Sequence, residues 1–206
     1  NVIPEKLLHF GPVVPTLDHL TKLVEQSFAR VYNAGDGLIV QCQGLIDYWQ
    51  SVGMIDVPIH VINRPIDVRN FNRTLGPDPY RPDFRKGARL LAICRHAKEK
   101  ALDKLLSVFA HYILPNRPEA SLTLVGDGPH HVELQRVAET LGVGHRVDFV
   151  GERPQRDLPE YYAYGDLFTY TSMIETFGQV VSEALWMGMP VVGKDDKMGV
   201  AHQVRH

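Results

Sequence analysis

The sequence predicts an α/β protein built on a parallel, doubly wound sheet. Three observations carry that expectation. From residue 88 onward, short apolar runs alternate with segments of helical period. Five such runs occur, each separated from the next by a segment long enough for a crossover helix, which parallel strands require. In the last repeat a helical segment stops at Gly188 and Pro190 to Val192 begin a strand at once.

The elements follow in order. Residues 16–32 (TLDHLTKLVEQSFARVY) put Leu20, Leu23, Val24 and Phe28 on one helical face, with Thr16 as N-cap. GLIVQC reads as a strand, residues 45–52 as a short helix, and residues 58–62 as a second strand. NRPIDVRNFNRTLGPDPYRPDFRKG then mixes four prolines and five arginines without any period, so it reads as a boundary or linker. Beyond it come strand 88–94, helix 99–113, strand 120–125, helix 130–141, strand 147–150, a short helix at 158–164, strand 167–171, helix 175–187 and strand 190–193. Residues 1–66 are expected to be the C-terminal part of one α/β domain, 67–87 a linker, and 88–206 a second domain. A doubly wound sheet commonly has six strands, so that second domain is expected to stop short of completion.

Composition narrows the partners. The chain has 206 residues, 44% of them hydrophobic, enough for a sizeable core. Net charge is −2, so no overall basic surface recommends nucleic acid or an anionic membrane. Two cysteines, Cys42 and Cys94, sit in apolar runs and suit buried reduced thiols rather than disulfides or a metal site. No run approaches the roughly twenty apolar residues of a spanning helix, and a cytoplasmic protein is expected.

Ligands of open α/β sheets bind beyond the carboxyl ends of the strands. After the first strand of the second domain come Arg95 and Lys100 (CRHAKEKALDKLL), cations at a helix entry that an intervening phosphate would favour. After the second comes GDGPHH, where Gly126 and Gly128 make a tight turn, allow close approach, and leave His130 and His131 as surface residues of a first helical turn. After the third, Arg153 stands in GERP. After the fourth comes SMIETFGQVVSEALWMGMPVVG. If its helix starts at Glu175, the amides of Thr176, Phe177 and Gly178 form an anion-attracting first turn. Glu175 and Glu183 then lie roughly 12 Å apart along the axis and roughly 80° apart around it, able to line one cleft. Glu183 is a charge among Val180, Val181, Ala184 and Leu185, where one is uncommon without a partner. Carboxylates accept bonds from adjacent hydroxyls. Cations for a diphosphate, amides for a phosphate and two carboxylates for hydroxyl-bearing groups outline a nucleotide diphosphate sugar.

From Val61 to Val192 the sequence resembles the C-terminal, donor-binding domain of family 4 retaining glycosyltransferases of the GT-B type, which have two Rossmann-like domains. The most specific block is a carboxylate, seven residues and a second carboxylate, with FG soon after the first. The resemblance implies that Glu175 faces the donor sugar and Glu183 the ribose. It implies that Arg95 and Lys100 hold the diphosphate, with help from the amides at Phe177 and Gly178. Cys94 and Ala101 stand where the family usually has glycine, with modest change expected. NRPID replaces the usual PNGxD, leaving Asp67 and Phe71 as the matching positions. No intact acceptor-side domain is found; PVVPTLDH resembles its region only loosely, and His19 is expected on the surface. The function implied is sugar transfer from a nucleotide diphosphate sugar to an acceptor hydroxyl, without cofactor or catalytic metal. The rivals are a donor-binding half inactive on its own, and a nucleotide-sugar epimerase on the same architecture.

Overall fold

The structure is a computed structural model that describes residues 16–53, 55–72, 74–173, 175–196 and 198–204, with the side chains of residues 16–19 outside that description. The Thr16 cap and the surface position expected for His19 therefore lie outside the described residues. Helix α1 (Thr16–Asn33) leads into β1 (Leu38–Val40), α2 (Gln43–Val52) and β2 (Ile59–Val61). β1 and β2 pair in parallel, Leu38 opposite Ile59. Their small core gathers Leu38, Val40, Leu45 and Trp49. The face expected of α1 is only partly right. Leu20 and Leu23 are exposed, because the helix meets this small core through Phe28 and Tyr32, one and two turns further on.

The second unit holds β3 (Arg89–Ile93), β4 (Ser121–Val125), β5 (Val147–Gly151), β6 (Leu167–Tyr170) and β7 (Val191–Gly193). They form one sheet in the order β5-β4-β3-β6-β7, and every adjacent pair is parallel. Chain direction across the sheet reverses between β3 and β6, the switch point where such sheets open a crevice. Both faces are covered. Leu91 and Ile93 of β3 face one core with Phe168 and Val181, while Leu90 and Ala92 face another with Leu102, Leu106 and Phe109, the alternation that a two-residue period demands.

The segment read as a linker is packed onto this unit. It contains α3 (Val68–Phe71), begun where the Asp67 carboxylate accepts from the Arg69 amide. Phe71 and Tyr80 are buried in the sheet's core. The Tyr80 hydroxyl donates to the Tyr161 carbonyl at 2.7 Å, Gly76 N–H donates to Glu160 at 2.8 Å, and Trp186 Nε1 donates to Asn72 at 3.1 Å. Aromatics spaced without a regular period gave no sign of burial in the sequence, because each meets the sheet from a turn rather than from an element.

Two helix boundaries differ from expectation. The helix expected over 99–113 is a 3-10 turn (Lys98–Lys100), a left-handed Ala101 (φ +50°), α4 (Leu102–Val108) and a π-turn (Phe109–Ile113). α5 (His131–Thr140) and α6 (Leu158–Tyr164) lie close to prediction. The helix expected from 175 begins four residues later, as α7 (Gln179–Trp186). Gly178 is left-handed at φ +75°, which ends any helical path from Glu175. A last helix, α8 (Gly199–Gln203), was not anticipated. Cys42 and Cys94 are free thiols, Cys42 buried and Cys94 half-buried. Among the described residues no helix is long and apolar enough to cross a membrane.

Candidate functional site

The carboxyl ends of β3 and β6 bring one cluster of charges together at the switch point. Lys100 leaves the 3-10 turn after β3, and Thr171 donates from its hydroxyl to the Lys100 carbonyl at 2.8 Å, tying that turn to the end of β6. The Lys100 ammonium donates to Glu175 Oε2 at 2.5 Å, to the Tyr170 hydroxyl at 3.3 Å and to Ser172 Oγ at 3.5 Å. Tyr170, the last residue of β6, donates to the same Glu175 oxygen at 2.8 Å. Both charged side chains are about 15% exposed. A charged pair this enclosed attracts more strongly than one in open water. Burial pushes the Tyr170 phenol well above its ordinary range, and the neighbouring carboxylate adds to that, so the hydroxyl stays a donor.

Beside this cluster a cleft of about 710 Å³ opens over β3 and β4, lined among others by Arg95, Gly126, Gly128, Glu152 and Arg153. Arg95 is two-thirds exposed and pairs with Glu99 at 2.7 Å. Arg95 and Lys100 leave one loop, but Arg95 lines the cleft while Lys100 pairs with Glu175. Arg153 lines the cleft from the loop after β5, with its charge near Tyr161. Cys94 also lines it, and burial pushes its thiol up to about 12, which removes thiolate chemistry.

The two glycines of GDGP make room for backbone. A Cβ on Gly126 would overlap the Cys94 carbonyl, and one on Gly128 would come within 2.5 Å of the His96 carbonyl oxygen. His96 N–H donates to the Asp127 carbonyl and His130 N–H to the His96 carbonyl, so the loops after β3 and β4 are laced together. His131 is not the surface residue expected. Its Nδ1 lies 3.0 Å from Nδ1 of fully buried His96 and the rings stack at 5.0 Å. Burial, and then His131, lower His96 to about 4, so it is neutral at ordinary pH.

Glu175 and Glu183 do not share a helix. Glu175 lies in the loop before α7, where its Oε1 accepts from the Thr176 amide at 3.2 Å. Phe177 is buried beneath α8, and Gln203 donates to its carbonyl. The amides of Thr176, Phe177 and Gly178 therefore belong to a loop and not to a first helical turn, because left-handed Gly178 caps α7. Glu183 is 2% exposed in the middle of α7. Gln155 Nε2 and the Tyr162 hydroxyl each donate to it at 2.9 Å. Burial raises its carboxyl and these two bonds oppose the shift. Sequence reasoning flagged the lone charge but missed its partners, Gln155 and Tyr162, and missed Tyr170 and His96. Tyr170 had one usable signal, its place at the carboxyl end of a strand. Among the described residues no group of three metal-ligating side chains forms.

Residues 82–206, with this sheet and both clusters, match the family model described as glycosyl transferases group 1, and the chain belongs to that family. It is 32% identical over 134 residues to the sulfoquinovosyl transferase SQD2 of Arabidopsis thaliana, covering 63% of this chain and 24% of the relative. It is 28% identical over 179 residues to a GDP-mannose-dependent alpha-mannosyltransferase of Mycobacterium tuberculosis, covering 86% and 41%. The solved structure of Anabaena HepE in complex with UDP and glucose superposes with a TM-score of 0.75 at 24% identity, covering 92% of this chain and 52% of that one. The chain thus spans about half of that structure and less than half of those relatives. The α/β architecture is the GT-B type that the sequence predicted.

Proposed function

We propose that the protein containing this chain is a retaining glycosyltransferase that moves a sugar from a nucleotide diphosphate sugar to an acceptor hydroxyl. The observation that carries this reading is the Lys100–Tyr170–Glu175 cluster at the switch point, set against the cleft that Arg95 lines. Residues 88–206 are assigned as the donor-binding unit and residues 1–66 as part of the acceptor side. Lys100 and Arg95 take the diphosphate, Glu175 orients the sugar and Glu183 holds the ribose. Gly126, Gly128 and Arg153 shape the cleft wall, and the loop of Thr176, Phe177 and Gly178 lies against the sugar.

In the step itself the bond between the anomeric carbon and the diphosphate oxygen breaks, and its electron pair leaves with the phosphate. The acceptor oxygen bonds to the same carbon from the same face, and its proton passes to the departing phosphate oxygen. Charge grows on that phosphate in the transition state, which is where fixed cations accelerate the reaction. Glu175 is bonded at both oxygens, by Lys100 and Tyr170 at Oε2 and by the Thr176 amide at Oε1, so we assign it to orienting the sugar rather than to a covalent intermediate, and the two cations serve the diphosphate without a metal or cofactor. Two free cysteines suit a reducing compartment, so we place the protein in the cytoplasm, at the membrane surface if its acceptor is a lipid, without a nucleic-acid partner.

The test is calorimetry with UDP, GDP and ADP and one sugar conjugate of each, on this chain and on Lys100→Ala. One base is expected to bind selectively, with the variant weaker by about tenfold or more. A folded chain that binds none of the six, or a variant that binds as well as the parent, overturns the assignment. With the whole protein, a product that forms without acceptor would favour the epimerase reading, whereas the relatives described above are both transferases.

A further inference from the structure

Glu175 Oε2 is shared. Lys100 donates to it at 2.5 Å and Tyr170 at 2.8 Å. If Lys100 serves a diphosphate, as the donor-site reading on which this inference rests requires, its ammonium must turn from the carboxylate when the donor arrives. The carboxylate must nevertheless stay where the sugar meets it. We propose that Tyr170 is a positioning residue that holds the Glu175 carboxylate in place while Lys100 changes partner from Glu175 to the donor diphosphate.

The geometry suits that role. Tyr170 ends β6, an interior strand between β3 and β7, and is 5% exposed. Its ring stacks on Phe168 at 6.1 Å, and its own carbonyl accepts from the Lys194 amide at 2.9 Å, so the hydroxyl is delivered from a rigid support. Its ring also lies 5.7 Å from the Lys100 ammonium, a contact that leaves the cation near its starting place when it turns. After the exchange, Glu175 keeps the phenol on Oε2 and the Thr176 amide on Oε1, a bond at each oxygen that fixes the carboxylate plane. A mobile cation and an immobile carboxylate then share one site. Direct pairing alone would give neither, because a carboxylate held mainly by Lys100 is released at the moment it is needed.

The test compares this chain with Tyr170→Phe, which keeps the ring and removes only the hydroxyl. The probes are UDP and UDP-glucose, GDP and GDP-mannose, and ADP and ADP-glucose, by calorimetry. The expected result is a split. Affinity for the preferred nucleoside diphosphate stays within about twofold, which also reports an intact fold, while affinity for its sugar conjugate falls about tenfold. Equal losses for both, or no loss for either, overturn the role of Tyr170 and leave the donor-site reading standing. A parent chain that binds none of the six probes overturns both.

Discussion

A single buried carboxylate shows how function can oppose stability. Glu183 was legible in the sequence as a charge in an apolar stretch, but its partners were not, since Gln155 and Tyr162 come from a separate loop and helix. Burial raises its folded-state pKa above the unfolded value, so its stabilising contribution is present at low pH and is lost as pH rises through the folded value. Glu183→Gln removes that titration while Gln155 and Tyr162 can still pair with an amide. The variant is therefore expected to melt no lower than the parent at pH 5 and higher at pH 8, by thermal denaturation followed by circular dichroism. Its affinity for the preferred nucleotide should nonetheless fall by about tenfold, if the carboxylate holds the ribose. A lower melting temperature across that whole pH range would show that the charge itself stabilises the fold.

Elements were easier to read in their middles than at their ends. The strands appeared as apolar runs because both faces of the sheet are covered, so their signal does not depend on one neighbour. The ends of helices depended on single backbone conformations. Gly178 delays α7 by four residues, and left-handed Ala101 divides the helix expected at 99–113. Neither conformation is announced by the residues around it. The loops after β3 and β4 were likewise read separately, although the His96–His131 pair joins them. That pair makes a pH prediction. His96 is depressed to about 4 from the usual 6.5, so the unfolded chain binds the proton more tightly. Stability is thus complete above pH 6.5 and is lost as pH falls toward 4. Urea midpoints measured from pH 7 to 4 should fall steeply in the parent and less steeply in His96→Phe; parallel slopes would remove His96 as the cause.

At the scale of the whole molecule, the boundary drawn from composition and the boundary drawn by packing are different things. Residues 63–87 are rich in proline and arginine and lack period, yet Phe71 and Tyr80 are buried with the sheet and Gly76 bonds to α6 through Glu160. Removing them strips side chains from the core of the larger unit, and Tyr80 and Phe71 alone account for two of its large apolar contacts. A chain of residues 63–206 should accordingly melt in one cooperative transition by circular dichroism. A chain of residues 88–206 should melt lower by 10 °C or more, on the order of the loss of a few kcal/mol in a domain of this size. Equal melting temperatures would return the segment to the status of a connector.

The close pairing of Lys100 with Glu175, and of Arg95 with Glu99, has a kinetic meaning as well. On the donor-site reading, Lys100 and Arg95 are each already paired with a carboxylate, so the two pairs project little net field into the surrounding solution. An approaching dianion is not drawn in from a distance, and its rate of arrival should depend weakly on ionic strength. Selectivity is then exercised only at contact. Chloride, sulfate and other small anions without a hydroxyl group, which can take the cation but have no donor to give the carboxylate it leaves, should be poor competitors. A donor that brings hydroxyl groups together with its phosphates compensates both halves of the pair at once.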